Sequence, residues 1–282
     1  METNTKFKLL IMAAGIGSRN THYSGLHKGL LPIENIPAMS RILQNVAVDV
    51  EIVVAVGHLK QQVISYLTFV YPERKFTFVD QIPFTGSGVG PAHAVLAAKE
   101  HLDCPFIITT CDTVIPSKVQ HTCPTKDWIG VDKISPVTYA CILPGTSELT
   151  RISNPPIYIG VAGIADWQKY ISRLEETGSK ENTDGFTTFD LVPFNWIDTG
   201  SDSTYELLNH SIIVPEKEDQ AVFIVNNKVV KFWIDPEIAE RVYKVATRLG
   251  HDVTKINDNM LGYDLVEGTL FTDFFTTCQE QL

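Results

Sequence analysis

Residues 9–32 read LLIMAAGIGSRNTHYSGLHKGLLP, an apolar run that stops at a glycine loop carrying an arginine and then a lysine. A strand that ends this way delivers backbone N–H groups and two cations to a phosphate. Gly15 and Gly17 lack a Cβ, so the chain can turn sharply and approach a polyphosphate with its amides facing the oxygens. Arg19 and Lys28 then supply charge. A glycine pair that merely turns a strand into the next element is the competing reading.

The loop matches neither of the two common nucleotide fingerprints. A dinucleotide fold calls for a third glycine opening a helix, and Ser18-Arg19-Asn20 has none. A P-loop calls for Gly-Lys-Ser/Thr, and Lys28 is followed by Gly29 and Leu30.

Working outward, short apolar runs alternate with helical patterns. Strands are expected at 9–13, 51–56, 76–79 and 105–110, and helices at 40–48, 59–71 and 91–101. The helix over 59–71 presents Val63, Ile64, Leu67 and Val70 on one face. This is a doubly wound α/β pattern with a buried, mainly parallel sheet. Over 128–164 the runs WIGV, VTYACIL and IYIGVAGI predict a mixed, partly antiparallel extension, a platform for a second substrate. The polar run 175–185, EETGSKENTDG, is expected to be a solvated loop.

Two further constellations carry chemistry. Residues 86–94, GSGVGPAHA, place three glycines before an alanine-rich helix whose first residue is Pro91, so amides and a helix N-terminus can meet a ligand there. A glycine spacer between strand and helix is the bland alternative. Asp112 ends the apolar strand in TTCDTVI, at the carboxyl edge where open α/β sheets bind ligands, and suits Mg²⁺ facing a triphosphate. An ordinary turn or cap aspartate is the alternative there.

Together, G-x-G-S-R followed by Lys28-x-Leu30-x-Pro32, the glycine turn before a small-residue helix, the strand-ending Asp112 and the segment Asn195-Trp-Ile-Asp198-Thr-Gly200 with Tyr205 resemble the sugar-nucleotide pyrophosphorylases. These form a nucleotidyltransferase superfamily with a Rossmann-like core, and the resemblance spans roughly 6–210. It implies Arg19 and Lys28 as catalytic cations. Ala13, Ala14, Gly15, Gly17, Ser18, Gly88, Gly90, Pro91 and Ala92 become the nucleotide contacts. Asp112 and Asp198 become the ligands of a Mg²⁺ cofactor. The chain departs from the family pattern in three places. His27 replaces the proline usually found before the lysine, and Pro91 replaces a threonine. The family's Glu-Lys pair is missing from 149–156, LTRISNPP, leaving Arg151 or Lys133 as candidate grips on the acceptor phosphate. His27 is expected beside the phosphate loop with no acid-base role.

Residues 215–282 read differently. Positions 222–233 are two β-patterned runs joined by Asn226-Asn227, a hairpin signal, followed by a helix at 234–250 and a strand running into 263–268. This resembles the opening of an aminoglycoside or choline kinase-like phosphotransferase lobe, with Lys231 as its phosphate-holding lysine and Glu240 as its helix partner. The later catalytic aspartates of such kinases have no match here. A small α+β docking appendage is the alternative, and the two-part division is 1–214 and 215–282. An apolar set, Leu265, Leu270, Phe271, Phe274 and Phe275, is expected to pack on the first part or on a second copy of the chain.

Composition bounds the rest. With 282 residues, 44% hydrophobic and 20% charged, the chain can bury a full α/β core plus a small appendage. A net charge of -10 argues against a nucleic-acid partner held by counterion release. Cys104, Cys111, Cys123, Cys141 and Cys278 are odd in number, without C-x-x-C spacing, which favours a reduced, cytoplasmic setting. No run has the length of a membrane span, so no insertion is expected. The expected enzyme joins an NTP (CTP, UTP or other) to a phosphomonoester, a sugar 1-phosphate or small phosphoalcohol, and releases pyrophosphate, in the service of surface glycan or capsule polysaccharide synthesis. A non-catalytic nucleotide-sensing or scaffold subunit, or a fragment of a bifunctional kinase/nucleotidyltransferase, are the alternatives.

Overall fold

The computed structural model describes residues 6–17, 25–86, 89–115, 122–132, 141–142, 146, 149–150, 156–199 and 219–266. Its centre is β1 (Lys8–Ala13), buried along its whole length and hydrogen-bonded in parallel to β4 (Glu51–Val56) on one side and β6 (Phe106–Thr110) on the other. β5 (Phe76–Asp80) extends the parallel sheet beyond β4. Alternate residues of these strands face opposite layers, as a pleated strand requires. Leu9, Ile11, Ile52, Val54 and Ile107 join one apolar cluster, and Leu10, Met12, Val53, Ala55 and Ile108 join the other.

Helices cover both faces. α2 (Lys60–Val70) buries Val63, Tyr66, Leu67 and Val70 in the first cluster. α3 (Pro91–Ala98) and α4 (Trp167–Thr177) bury Ala92, Val95, Ala98, Tyr170, Ile171 and Leu174 in the second. α1 (Ala38–Gln44) follows a short hairpin of β2 (Pro32–Ile33) and β3 (Ile36–Pro37). It stops short of the expected 48, and the Arg74 guanidinium donates to the carbonyls of Leu43, Val46 and Ala47 at and beyond the helix end.

Beyond β6 the sheet becomes mixed, as the sequence predicts. β11 (Ile157–Ile164) runs antiparallel to β6 and pairs with β8 (Trp128–Asp132) and β9 (Cys141–Ile142). β10 (Leu149–Thr150) pairs with β9, and β12 (Asp190–Pro193) lies parallel to β8. At the end of β6 the chain turns into β7 (Thr113–Val114), which pairs antiparallel with β13 (Ile197–Asp198). The architecture is the expected doubly wound α/β core with a mixed, mainly parallel sheet.

The run 175–185 is not a solvated loop: α4 continues to Thr177, and a 3₁₀ turn (Asn182–Gly185) buries Asn182 and Thr183 completely. Tyr170 donates its hydroxyl to the Asn182 carbonyl at 2.7 Å, and the Asn182 amide donates to the Tyr158 hydroxyl at 2.7 Å. Aromatic hydroxyls thus partner the backbone carbonyl and the amide nitrogen of Asn182, while its Oδ1 and the Thr183 hydroxyl are buried without a hydrogen-bond partner.

The C-terminal hairpin is present as β14 (Gln220–Val225) and β15 (Lys228–Trp233), with φ of 51° at Asn226 and 56° at Asn227, the left-handed pair that a tight hairpin turn needs. β17 (Met260–Asp264) pairs with β15, and β16 (Thr254–Lys255) with β17. α5 (Pro236–Arg248) starts after the side chain of Asp235 accepts the Glu237 N–H. The expected Lys231–Glu240 pair does not form. Glu240 faces Lys255 at 2.8 Å and Lys244 at 3.3 Å, while the Lys231 ammonium lies over the Tyr263 ring at 5.7 Å. Leu265 is 42% exposed and does not seal against the core; Leu270, Phe271, Phe274 and Phe275 lie outside the described residues. Among the described residues no helix is long and apolar enough to cross a membrane, and Cys104, Cys111, Cys123 and Cys141 carry no disulfide.

Candidate active site

The site forms where β1 and β6 end side by side. After β1, the Ala13 carbonyl meets the His27 ring and the Ala14 carbonyl accepts the His58 N–H at 3.0 Å, so both carbonyls of the strand end are fixed. Gly15 has open space where a Cβ would stand. Gly17 has a φ of +72°, and a Cβ there would meet Lys28 Cδ at 2.9 Å. The loop therefore lies directly on the aliphatic stem of Lys28. Lys28 itself opens a 3₁₀ turn (Lys28–Leu30), and Gly29 brings that turn against Cys111, where a Cβ would be 3.0 Å from Cys111 Cβ.

That packing aims Lys28 across the strand ends. Its ammonium stands 2.9 Å from Asp112 Oδ2, with 19% of the lysine side chain and 10% of the aspartate side chain exposed. Burial pushes the Asp112 carboxyl up, but the charge and hydrogen bond of Lys28, with a further hydrogen bond from Thr110, outweigh burial and hold it below its ordinary value. Asp112 is therefore an anion at neutral pH.

Residues that the sequence did not single out hold this carboxylate in place. The hydroxyls of Thr110 and Thr113 are 2.6 Å apart, and Thr113 donates to the Ile159 carbonyl at 2.7 Å. Gly160, at φ +80°, bulges β11 so that this pair fits; a Cβ there would strike Thr110 Oγ1 at 2.9 Å. Thr199 donates both its N–H (3.3 Å) and its hydroxyl (3.1 Å) to the Asp112 carbonyl. β13 sets Asp198 opposite Thr113 in register, so the backbone brings the two expected metal-site aspartates together from segments far apart in sequence. Thr199 sits inside the W-I-D-T-G segment and could have been found there; Thr110, Thr113 and Gly160 act through contacts that no local spacing encodes.

The second glycine turn is built differently from the expectation. The Ala92 N–H, at the start of α3, donates to the Lys180 carbonyl at 3.0 Å, and a Cβ on Gly90 would collide with that carbonyl at 2.4 Å. Gly90 and Ala92 thus have a structural partner in the segment after α4, and Pro91 caps the helix at its first position. Ser18, Arg19, Gly88, Gly200, Tyr205, Arg151 and Lys133 lie outside the described residues.

No family model matches the chain. The Bifunctional protein GlmU of Methanococcus vannielii is 28% identical over 181 residues, which cover 64% of this chain and 37% of that protein. The chain thus spans little more than a third of that relative's length. Among solved structures, CTP:phosphocholine cytidylyltransferase from Streptococcus pneumoniae superposes with a TM-score of 0.56 at 16% identity, covering 72% of this chain and 98% of that one. The fold is that of the nucleotidyltransferases. A UDP-glucose pyrophosphorylase complexed with UDP-glucose agrees, with a TM-score of 0.54 at 16% identity over 73% of this chain and 97% of its own. The likeness carries fold alone; in this chain Lys28 and Asp112 meet beside the ends of β1 and β6.

Proposed function

We propose that the chain is a Mg²⁺-dependent nucleotidyltransferase that joins an NTP to a phosphomonoester, a sugar 1-phosphate or small phosphoalcohol, and releases pyrophosphate. The observation that carries this reading is the Lys28–Asp112 contact of 2.9 Å at the carboxyl edge of the sheet, with the Asp198 backbone in register with the next residue, Thr113. The anionic Asp112 carboxylate, with Asp198 contributed by the strand paired to Thr113, suits Mg²⁺, which keeps water and substrate phosphates in its remaining positions. Bound there, the metal would neutralise charge on the phosphates.

The chain's own residues supply positioning. Amides of the 13–17 loop face the triphosphate, Lys28 turns its ammonium from Asp112 to phosphate oxygens, and Arg19 adds charge toward the leaving pyrophosphate. An oxygen of the acceptor phosphate forms a bond to the α-phosphorus while the bond from that phosphorus to the bridging oxygen of the pyrophosphate breaks. No electrons change hands and no proton needs removing, since a phosphate anion is already nucleophilic. His27 is not a base: both ring nitrogens are engaged, and burial pushes its pKa down to about 4.

The acceptor phosphate's ligand falls to Arg151 or Lys133. A cytoplasmic enzyme supplying an activated precursor for surface glycans fits this chemistry, and the activities of the longer relative extend the proposal no further. Incubation with each NTP, Mg²⁺ and a panel of sugar 1-phosphates and phosphoalcohols tests it. Pyrophosphate is expected only when both substrates and Mg²⁺ are present. Nucleotide binding without turnover across the panel would make the chain a sensing subunit instead.

A further inference from the structure

His27 is 1% exposed although it precedes the phosphate-loop lysine. Every polar group that it presents has a partner, its own carbonyl included, which begins the 3₁₀ turn by accepting the Leu30 N–H at 2.8 Å. Its backbone N–H donates to Gln62 Oε1 at 2.9 Å, and its Nδ1 accepts the Gly29 N–H at 3.1 Å. Its Nε2 stands 2.9 Å from the Ala13 carbonyl oxygen. An amide N–H on Nδ1 and a carbonyl on Nε2 require the proton on Nε2, so the ring donates to Ala13.

Gln62 lies in the first turn of α2 and is itself 9% exposed. Its amide nitrogen donates to the Gly25 carbonyl at 2.7 Å while its oxygen accepts from His27. One side-chain amide therefore pairs with the backbone on both sides of Leu26, as a neighbouring strand would. The two residues tie three elements together: the end of β1, the first turn of α2 and the 3₁₀ turn that carries Lys28.

We propose that His27 and Gln62 form a latch that closes the base of the phosphate loop and fixes where Lys28 stands, making both of them positioning residues. The inference rests on the nucleotidyltransferase reading for its consequence, not for its geometry. His27 has a φ of -64°, within the range that proline's ring enforces. In the resembling family a proline occupies this place. Here the same backbone torsion is held by hydrogen bonds, which also connect the turn to β1 and α2. Lys28 is the next residue, its stem lies under Gly17 and its ammonium meets Asp112, so movement at 25–27 transfers directly to the cation.

The test measures Lys28 directly and then its consequence. Labelling of the ligand-free protein with an amine-reactive reagent, read by mass spectrometry, is expected to speed up at Lys28 by about tenfold in His27→Ala and in Gln62→Met, the scale of losing one or two buried hydrogen bonds. Lys99 and Lys244, remote from the latch, should keep their rates. For turnover, His27→Ala should lower kcat/KM by about tenfold to a hundredfold. That loss should vanish in a Lys28→Ala background, because the latch acts through that side chain. His27→Gln, which keeps one donor and one acceptor, should retain most of the rate.

Unchanged Lys28 labelling in both variants would overturn the latch, as would equal acceleration at every lysine or losses that simply add in the double variant. If the native chain releases no pyrophosphate with any acceptor, the functional reading falls while the labelling result still decides the latch.

Discussion

Lys28 and Asp112 are each other's partners, and the proposed reaction requires both to exchange that contact for phosphate and metal. Asp112→Asn keeps the shape and removes the charge. It is expected to lower kcat by at least about a hundredfold, the scale of one lost electrostatic contact in a phosphoryl-type site. Lys28 remains partly exposed, so stability should fall by no more than about 1–3 kcal/mol, measured by urea unfolding. Asp198→Asn should lose activity likewise. His27 sets a separate acid signature. Burial, with the charges of Lys28 and His58, lowers its pKa, against the opposing pull of the Ala13 carbonyl and Asp112. A group depressed from 6.5 to about 4 must stay neutral in the fold, while the unfolded chain takes up its proton below 6.5. The stability it contributes is therefore complete above pH 6.5 and drains away as pH falls toward 4, by about 1.4 kcal/mol per unit at most. Urea midpoints of the native chain should drop across that window, and those of His27→Gln should be nearly flat there. At this scale the charged residues were legible because Asp112 ends an apolar run and Lys28 follows the glycine loop at the end of another. Gln62 and Thr113 were not, because their partners are backbone groups of remote segments.

Elements carry the glycines and turns that aim those residues. Gly17→Ala puts a Cβ at a left-handed φ and against the Lys28 stem, so it is expected to cost about 1 kcal/mol of stability. It should also lower kcat/KM by about tenfold or more by displacing the ammonium. Near-native turnover in that variant would detach the loop from Lys28. The strands of the central sheet were legible from their unbroken apolar runs, and the β14–β15 hairpin from Asn226-Asn227, since few residues accept two successive positive φ values. The segment after α4 was misread because its composition is polar. Its burial depends on Tyr158, Tyr170 and the start of α3, none of which is local to it.

At the scale of the whole molecule, residues 220–264 are not an independent bead on the α/β core. Phe223 packs edge-on against Tyr66 of α2 with ring centroids 5.6 Å apart, and Ala221, Val225, Val230, Phe232 and Met260 share the core cluster of β1 and α2. Asn35, in the β2–β3 turn, donates to the Val222 carbonyl at 3.2 Å and accepts the Ile224 N–H at 2.8 Å. Burial of Phe223 and Phe232 is worth about 1.5–3 kcal/mol each. Deleting residues 216–282 is therefore expected to lower stability and solubility by uncovering α2, while nucleotidyl transfer survives, since Lys28, Asp112 and Asp198 all precede the cut. A folded truncation without transfer would place the C-terminal part in the active site.

The central claim is that the chain moves the α-phosphorus of an NTP onto a phosphate acceptor. It is tested most directly by following two labels in parallel, one on the α-phosphate and one on the γ-phosphate, with Mg²⁺ and the acceptor that supports turnover. The account predicts the α label in the acceptor conjugate and the γ label in pyrophosphate, both lost in Asp112→Asn. A γ label on the acceptor, or an α label that never leaves the nucleotide across the acceptor panel, would contradict it.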